Sequence, residues 1–309
     1  MYLIEQKYAK PFLKWAGGKT QLLQKFSDYF PQELKNGKIE NYYEPFLGSG
    51  AVFFFIKQNY PIKKAFLTDI NEELILTFNV VKSDVTELIE ELKSIKEKYI
   101  SLKQNEQELF FYHIRDTYNQ NKTNIDFNNY SPKWISRAAQ MIFLNKTCFN
   151  GLFRLNRKGE FNVPFGRYKN PKILNEDNLL RCSEELQIAD IFLTDFENIK
   201  DYITSKFFIY FDPPYRPISK TSSFTSYSKF DFNDEDQIRL ANLFKDLGVN
   251  GNKLMLSNSD PKNENPLDNF FDEQYKSFTI RRVKAVRMIN CKGDKRGAIN
   301  ELIITNYKS

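Results

Sequence analysis

The apolar positions of this 309-residue chain fall into short runs, each ending in a carboxylate or a glycine-rich turn. Tyr42-Tyr43-Glu44-Pro45-Phe46 leads into Gly48-Ser49-Gly50, Lys64-Ala65-Phe66-Leu67-Thr68 ends at Asp69, and Ile191-Phe192-Leu193-Thr194 ends at Asp195. The most hydrophobic run, Lys206-Phe207-Phe208-Ile209-Tyr210-Phe211, is followed at once by Asp212-Pro213-Pro214-Tyr215. These runs read as strands of an open, mostly parallel α/β sheet, whose ligands bind beyond the carboxyl ends of the strands. A helix opening at Gly17-Gly18, a helix after Asp231, a strand at Lys253-Leu254-Met255-Leu256 and a closing pair near 275–284 and 299–306 complete the pattern. It predicts seven strands, one of them antiparallel, with helices on both faces.

Between Leu74 and Pro171 the pattern changes to charged helices and then to a turn-rich segment, Asn145 to Tyr168, dense in Asn, Gly, Arg and Phe. This middle reads as an inserted subdomain over 75–174, with 1–74 and 175–309 forming the sheet domain. Alternating charges from Glu87 to Lys98 read as a solvated helix face. The chain is long enough for one large domain carrying such an insert.

Composition narrows the choice of partner only slightly. With 45 Lys and Arg against 39 Asp and Glu, the net charge of +6 favours an anionic partner without identifying one. Aromatic residues make up 16% of the chain, and rings beside basic groups can stack on unpaired bases, although a Phe-rich core accounts for most of the 29 Phe. Cys148, Cys182 and Cys291 are odd in number and widely spaced, which fits reduced structural thiols rather than a disulfide framework or a metal knuckle. The first residues lack the apolar core of a signal peptide, and the longest apolar run, Ala51 to Ile56, is far too short to span a membrane. A cytoplasmic protein is expected. His113, the only histidine, is given no role.

The candidate chemistry sits where the strands end. An exocyclic base amine is a poor nucleophile, because its lone pair is delocalised into the ring. The Asp212 carboxylate and the Pro213 carbonyl are acceptors that can take its two hydrogens and favour a tetrahedral nitrogen, while the prolines stiffen the turn and Tyr215 offers a stacking face. Taken alone, the tetrapeptide is equally an ordinary turn with a capping Asp. Gly48 and Gly50 let backbone approach a cofactor at a helix amino terminus, and Asp69, about twenty residues on, can accept both ribose hydroxyls of a nucleoside. Gly18-Lys19-Thr20 suggests a phosphate-binding loop, but that motif requires a glycine where Leu13 stands, which argues against a nucleoside triphosphatase.

Four blocks, KWAGGK at 14–19, EPFLGSG at 44–50, NGLFRLNRKGEFNVPFGRY at 150–168 and DPPY at 212–215, resemble in content and order the Dam-like family of DNA adenine-N6 methyltransferases, over nearly the whole chain. The resemblance implies a Rossmann-like methyltransferase sheet with an inserted target-recognition domain, and transfer of methyl from S-adenosylmethionine to a flipped adenine in double-stranded DNA. It implies that Trp15, Lys19, Phe46, Gly48 and Gly50 line the cofactor site with Asp69 on the ribose, Asp195 near the cofactor adenine, and Asp212 and Tyr215 on the target base. Lys14, Asn150, Leu152, Arg154 and Pro164 match positions used against DNA by members that recognise GATC, and Phe149 stands where relatives can carry a tyrosine near the flipped base. The chemistry of these side chains agrees. Lys14 and Arg154 can donate to guanine O6 and N7, Leu152 and Pro164 can meet a thymine methyl, and Arg157, Lys158, Arg167 and Lys169 suit phosphates. A restriction endonuclease acting on the same site is a possible companion, a solitary methylase the alternative. The rivals are the same fold acting on cytosine N4, RNA adenine or a protein glutamine, and a catalytically silent nucleic-acid-binding relative. Asp212 argues against the first and last acceptors, because those chemistries are usually associated with Ser-Pro-Pro or Asn-Pro-Pro.

Overall fold

The structure, a computed structural model, describes residues 8–15, 19, 22–203, 206–216, 232–286 and 298–308. The expected helix opening at Gly17-Gly18 and the third cysteine, Cys291, lie outside the described residues.

Seven strands form one sheet: β1 (Asn41–Glu44), β2 (Lys64–Asp69), β3 (Ala189–Leu193), β4 (Phe207–Phe211), β5 (Lys253–Ser259), β6 (Thr279–Val286) and β7 (Ala298–Thr305), in the order β3-β2-β1-β4-β5-β7-β6. Strands β1 to β5 pair in parallel, and β7 lies antiparallel between β5 and β6. The arrangement is the mostly parallel seven-stranded sheet expected from the run pattern and the Rossmann-like one implied by the resemblance, with β7 its single reversed strand. Because strand side chains alternate between faces, neighbouring residues enter different cores. Tyr42, Phe208, Tyr210 and Met255 face one apolar layer, and Tyr43, Phe207, Ile209 and Phe211 face the other.

Helices α1 (Leu23–Phe26) and α2 (Gln32–Lys35) precede the sheet, and α3 (Ala51–Asn59) joins β1 to β2. After β2 the chain forms α4 (Glu72–Ser83), α5 (Val85–Ser101), α6 (Gln104–Gln120) and α7 (Lys133–Thr147) before returning through α8 (Glu176–Leu186) to β3. Helix α9 (Asp234–Val249) packs on the second face through Leu240, Phe244 and Leu247, and a short α10 (Phe270–Gln274) precedes β6. Helix α4 packs on β2 and β3 and also on α7, so it belongs to both the sheet and the insert. Inside that junction Arg137 of α7 grips Glu73 of α4 with both Nε, at 2.7 Å, and Nη2, while Nη1 donates to the Tyr118 carbonyl at 2.9 Å. Helix α7 runs further than the turn-rich pattern suggested, through Asn145 to Thr147, and the turns that follow are tied by antiparallel bridges between Cys148 and Phe165 and between Leu155 and Phe161.

The amino-terminal segment from Tyr8 to Trp15 forms no strand. Its backbone is held by side-chain amides instead. The Ala9 N–H donates to Gln58 Oε1 at 2.5 Å and its carbonyl accepts from Gln58 Nε2 at 3.2 Å. Lys10 makes the same reciprocal pair with Asn178 at 2.9 and 2.8 Å, and Lys14 with Asn145 at 2.8 Å each way. A primary amide presents one donor and one acceptor side by side, so it can satisfy a peptide's polar groups as a neighbouring strand would. The held segment crosses α3, α8 and α7 in turn and ends beside the site.

Candidate active site

The parallel strands bring Glu44, Asp69 and Asp212 to one edge of the sheet, around the place where the strand order reverses between β1 and β4. In open α/β sheets this is where a crevice opens between helices leaving on opposite faces.

Asp212 follows the fully buried strand β4 directly. Its Oδ1 accepts from Ser257 Oγ at 3.0 Å and pairs with the Lys19 ammonium at 2.9 Å, whereas no described residue occupies Oδ2. Behind Ser257 stands the Tyr210 hydroxyl at 2.8 Å, with both residues fully buried. The carboxylate is thus anchored by one oxygen, and the other keeps its lone pairs available. Lys19 also lies over the Tyr215 ring, 4.3 Å from its centroid, and Tyr215 donates its hydroxyl to the buried Glu301 of β7 at 3.0 Å. Burial raises the Tyr215 hydroxyl well above its ordinary pKa, helped by the negative charges of Asp212 and Glu301, so it stays a donor. Gln237 Nε2 donates to the Pro214 carbonyl at 3.1 Å and fixes the proline turn against α9. Beneath it all, Glu44 ends β1 buried and accepts from Tyr42 at 2.8 Å; burial pushes its carboxyl well above the usual range, reinforced by Asp212.

The glycine turn is shaped by the neighbours it must admit. Gly48 has a φ of 49°, and a Cβ there would stand 3.2 Å from Trp15. Gly50, with a φ of 70°, caps α3 in the left-handed region, and a Cβ would meet Phe78 at 3.0 Å. Both features favour glycine. The Gly48 N–H donates to Asp69 Oδ2 at 3.1 Å, and the Asn71 N–H to Oδ1 at 2.9 Å. Burial raises the Asp69 carboxyl pKa, and these amides offset part of the shift. Phe46 stacks on Phe196 with centroids 5.4 Å apart. Asp195 lies just past β3 and caps the turn 196–201, its Oδ1 also taken by Arg239 at 3.2 Å. The same Oδ1 accepts from the Glu197 N–H at 2.9 Å.

Residues 15–289 match the model of the D12 class N6 adenine-specific DNA methyltransferases. The chain is 53% identical to the type II methyltransferase M.MjaIII of Methanocaldococcus jannaschii, over 96% of this chain and 99% of that protein. It is 38% identical to the type II methyltransferase M1.LlaDCHI of Lactococcus lactis, over 96% and 95% of the two chains. It is 35% identical to the DNA adenine methylase of Haemophilus influenzae, over 95% and 92%. The chain belongs to the D12 class of N6 adenine-specific DNA methyltransferases.

As a member of this family it is an enzyme whose substrate is DNA. The residues expected to meet DNA lie away from the sheet edge, on the turns that follow α7. Phe149 and Asn150 are exposed there, and Asn150, at φ 56°, with Gly151, at φ 63°, makes a tight reversal within the segment that reads as turn-rich. The Phe149 N–H donates to the Pro164 carbonyl at 2.8 Å, which brings those two expected contacts together, with Leu152 part-buried and Arg154 exposed nearby in sequence. Arg154 donates Nε to Asn162 Oδ1 at 2.8 Å. Arg167 is exposed and pairs with Glu108 at 3.1 Å. Lys14 joins the turns rather than the sheet edge: its ammonium lies 4.8 Å from the Tyr168 ring centroid. Trp15 stacks on Phe153 of the insert at 5.4 Å, so one dipeptide touches both halves of the protein. His113 is an exposed residue of α6. Cys148 and Cys182 are buried free thiols, each raised by burial to about 12. Among the described residues there is no metal-binding cluster and no helix long and apolar enough to cross a membrane.

Sequence reasoning missed Ser257, Tyr210 and Glu301. The polar run Ser257-Asn258-Ser259-Asp260 at the carboxyl end of an apolar strand was the available signal for the first of them. Glu301 carried none, since a lone acid in β7 reads as an exposed strand position.

Proposed function

We propose that the protein transfers methyl from S-adenosylmethionine to N6 of a flipped adenine in double-stranded DNA, within GATC. The observation that carries this reading is the half-occupied Asp212 carboxylate: Ser257 and Lys19 hold Oδ1, which leaves Oδ2 to accept from a base amine. With the Pro213 carbonyl as second acceptor, the amine nitrogen is drawn toward a tetrahedral, nucleophilic form. Tyr215 supplies the stacking face that offsets part of the few kcal/mol spent on flipping.

The residues present fit the cofactor. Bare Gly48 and Gly50 and the uncapped amino terminus of α3 make a cradle, with Trp15, Lys19 and Phe46 as its walls. Asp69 would hold the ribose, and Asp195 remains the candidate for the adenine end. When bound, S-adenosylmethionine supplies an electrophilic methyl on a sulfonium, and the chain's task is to hold the amine in line with it and exclude water. Asp212 needs no histidine partner, because the proton leaves after the nitrogen is alkylated.

Residues 75–174 serve as the target-recognition domain, with 1–74 and 175–309 as the catalytic domain. Lys14, Phe149, Asn150, Leu152, Arg154 and Pro164 read the site, and Arg167 exchanges Glu108 for a phosphate. Relatives that carry the name type II methyltransferase support a restriction-modification setting, with an endonuclease acting on the same sequence without a stable complex. Methylating a plasmid with the purified protein and S-adenosylmethionine, then digesting with endonucleases blocked by or dependent on adenine methylation in GATC, tests substrate, cofactor and site together. Methylation of adenine elsewhere removes the GATC reading alone. Methylation of RNA in preference to DNA removes the duplex reading.

A further inference from the structure

We propose that Asn145 is a positioning residue for target specificity: its buried side-chain amide locks the base-reading Lys14 onto the recognition turn. The inference rests on the reading above that Lys14 contacts a base, and it adds the device that places it.

Asn145 sits in the last turn of α7 and is 1% exposed. Its Oδ1 accepts the Lys14 N–H at 2.8 Å, and its Nδ2 donates both to the Lys14 carbonyl at 2.8 Å and to the Gly151 carbonyl at 3.0 Å. One side chain therefore uses both its donors and an acceptor to tie two pieces of chain together. The first is the segment that leads into the sheet, and the second is the apex of the turn carrying Phe149 and Asn150. The contact continues along the side chain. A Cβ on Gly151 would lie 2.1 Å from Lys14 Cδ, so the lysine stem rests on bare glycine backbone, and its ammonium is steered toward the Tyr168 ring. A lysine normally keeps wide rotamer freedom, and base discrimination by hydrogen bonding needs its ammonium at a fixed place in the groove. Here the backbone is held by Asn145, the stem by Gly151 and the head by Tyr168.

The amides at Gln58 and Asn178 grip Ala9 and Lys10 in the same reciprocal way, but neither reaches the insert turn. Asn145 alone of the three bonds both to the segment and to that turn, which is why the specificity effect is assigned to it.

The test compares kcat/KM on a GATC duplex and on duplexes altered at each outer pair, for wild type, Asn145→Ala, Lys14→Ala and the double variant. Asn145→Ala is expected to lose about tenfold of discrimination at the pair that Lys14→Ala relaxes, and to keep it within about threefold at the other outer pair. The double variant should discriminate no worse than Lys14→Ala, because residues acting through one another are not additive. Asn145→Gln, which carries the same amide one methylene further, should recover part of the loss. A uniform fall on every duplex, or additive losses in the double variant, overturns the inference. If Asn145→Ala does not fold, Asn145→Ser keeps an acceptor for the Lys14 N–H and is held to the same pattern. Should Lys14→Ala leave discrimination intact at every pair, the base-reading role of Lys14 fails first, with Asn145 still in place.

Discussion

Lys19 approaches the Asp212 carboxylate at the same oxygen that Ser257 holds, 2.9 Å from Oδ1. Two donors on one oxygen hold the carboxylate in place, while the other oxygen keeps its lone pairs for the substrate. Hydrogen bonds to a charged group contribute about 1.5–3 kcal/mol. Ser257→Ala should therefore lower kcat about tenfold or more with the KM for DNA little changed, and Asp212→Ala should abolish turnover while cofactor still binds. Single-turnover methyl incorporation measures both. Retention of Asp212→Ala activity within tenfold, about 1.4 kcal/mol of barrier, would remove Asp212 from the chemistry.

Asp69→Asn removes the charge expected to meet ribose hydroxyls and, with a single acceptor oxygen, keeps only one of the bonds from the Gly48 and Asn71 amides, which now go to Oδ2 and Oδ1 respectively. Affinity for S-adenosylmethionine, read by calorimetry, should fall about tenfold or more with the fold intact. Unchanged affinity sinks the ribose assignment.

Glu73 and Arg137 are 2% exposed, and each is the other's charge partner. Glu73→Gln leaves a guanidinium buried without its counterion and should cost about 3–5 kcal/mol in urea unfolding. Replacing both by apolar residues of similar volume, as in Glu73→Leu with Arg137→Met, should cost clearly less. Equal losses would show that the pair matters through packing alone.

Lys146 supplies a pH signature. Burial, with the neighbouring Lys14 charge, lowers its pKa from 10.5 to about 8. A depressed lysine favours the folded state fully above the unfolded pKa, and that contribution is lost as pH falls through the folded value. At pH 7 the folded protein therefore carries a charging cost of the order of 2 kcal/mol, once solvent access is allowed for. Lys146→Met should stabilise the protein relative to wild type at pH 7, and the difference should shrink as pH rises from about 8 toward 10.5. A pH-independent difference contradicts the buried charge.

The strand most legible in the sequence was β4, whose run is unbroken and buried on both faces, followed by β2, whose buried centre is bounded by Lys64 and Asp69. The same pattern located Asp69 and Asp212, since the end of such a run is also the edge of the sheet. The supports of these residues were not legible. Ser257 reaches Asp212 from a strand 45 residues away, and Asn145 meets Lys14 across 131 residues. No local periodicity encodes such pairs. Asn145 also illustrates a boundary effect: it opens a stretch dense in Asn, Gly, Arg and Phe that reads as turns, yet it is buried with its amide bonded to Lys14 and is still helical.

Helix α4 makes the insert something other than an appendage. A module joined by loops can drift as a unit, and its grip on a ligand then depends on how often it finds the right pose. Here the joint is a continuous helix wedged on β2 and β3, bolted to α7 by Arg137 and Glu73. Any swing of the insert must drag a core helix out of register with the sheet. The turns that follow α7 are therefore tied to the sheet edge carrying Asp69 and Asp212 through a packed core helix, so the spacing between the two is fixed by the same contacts that build the core.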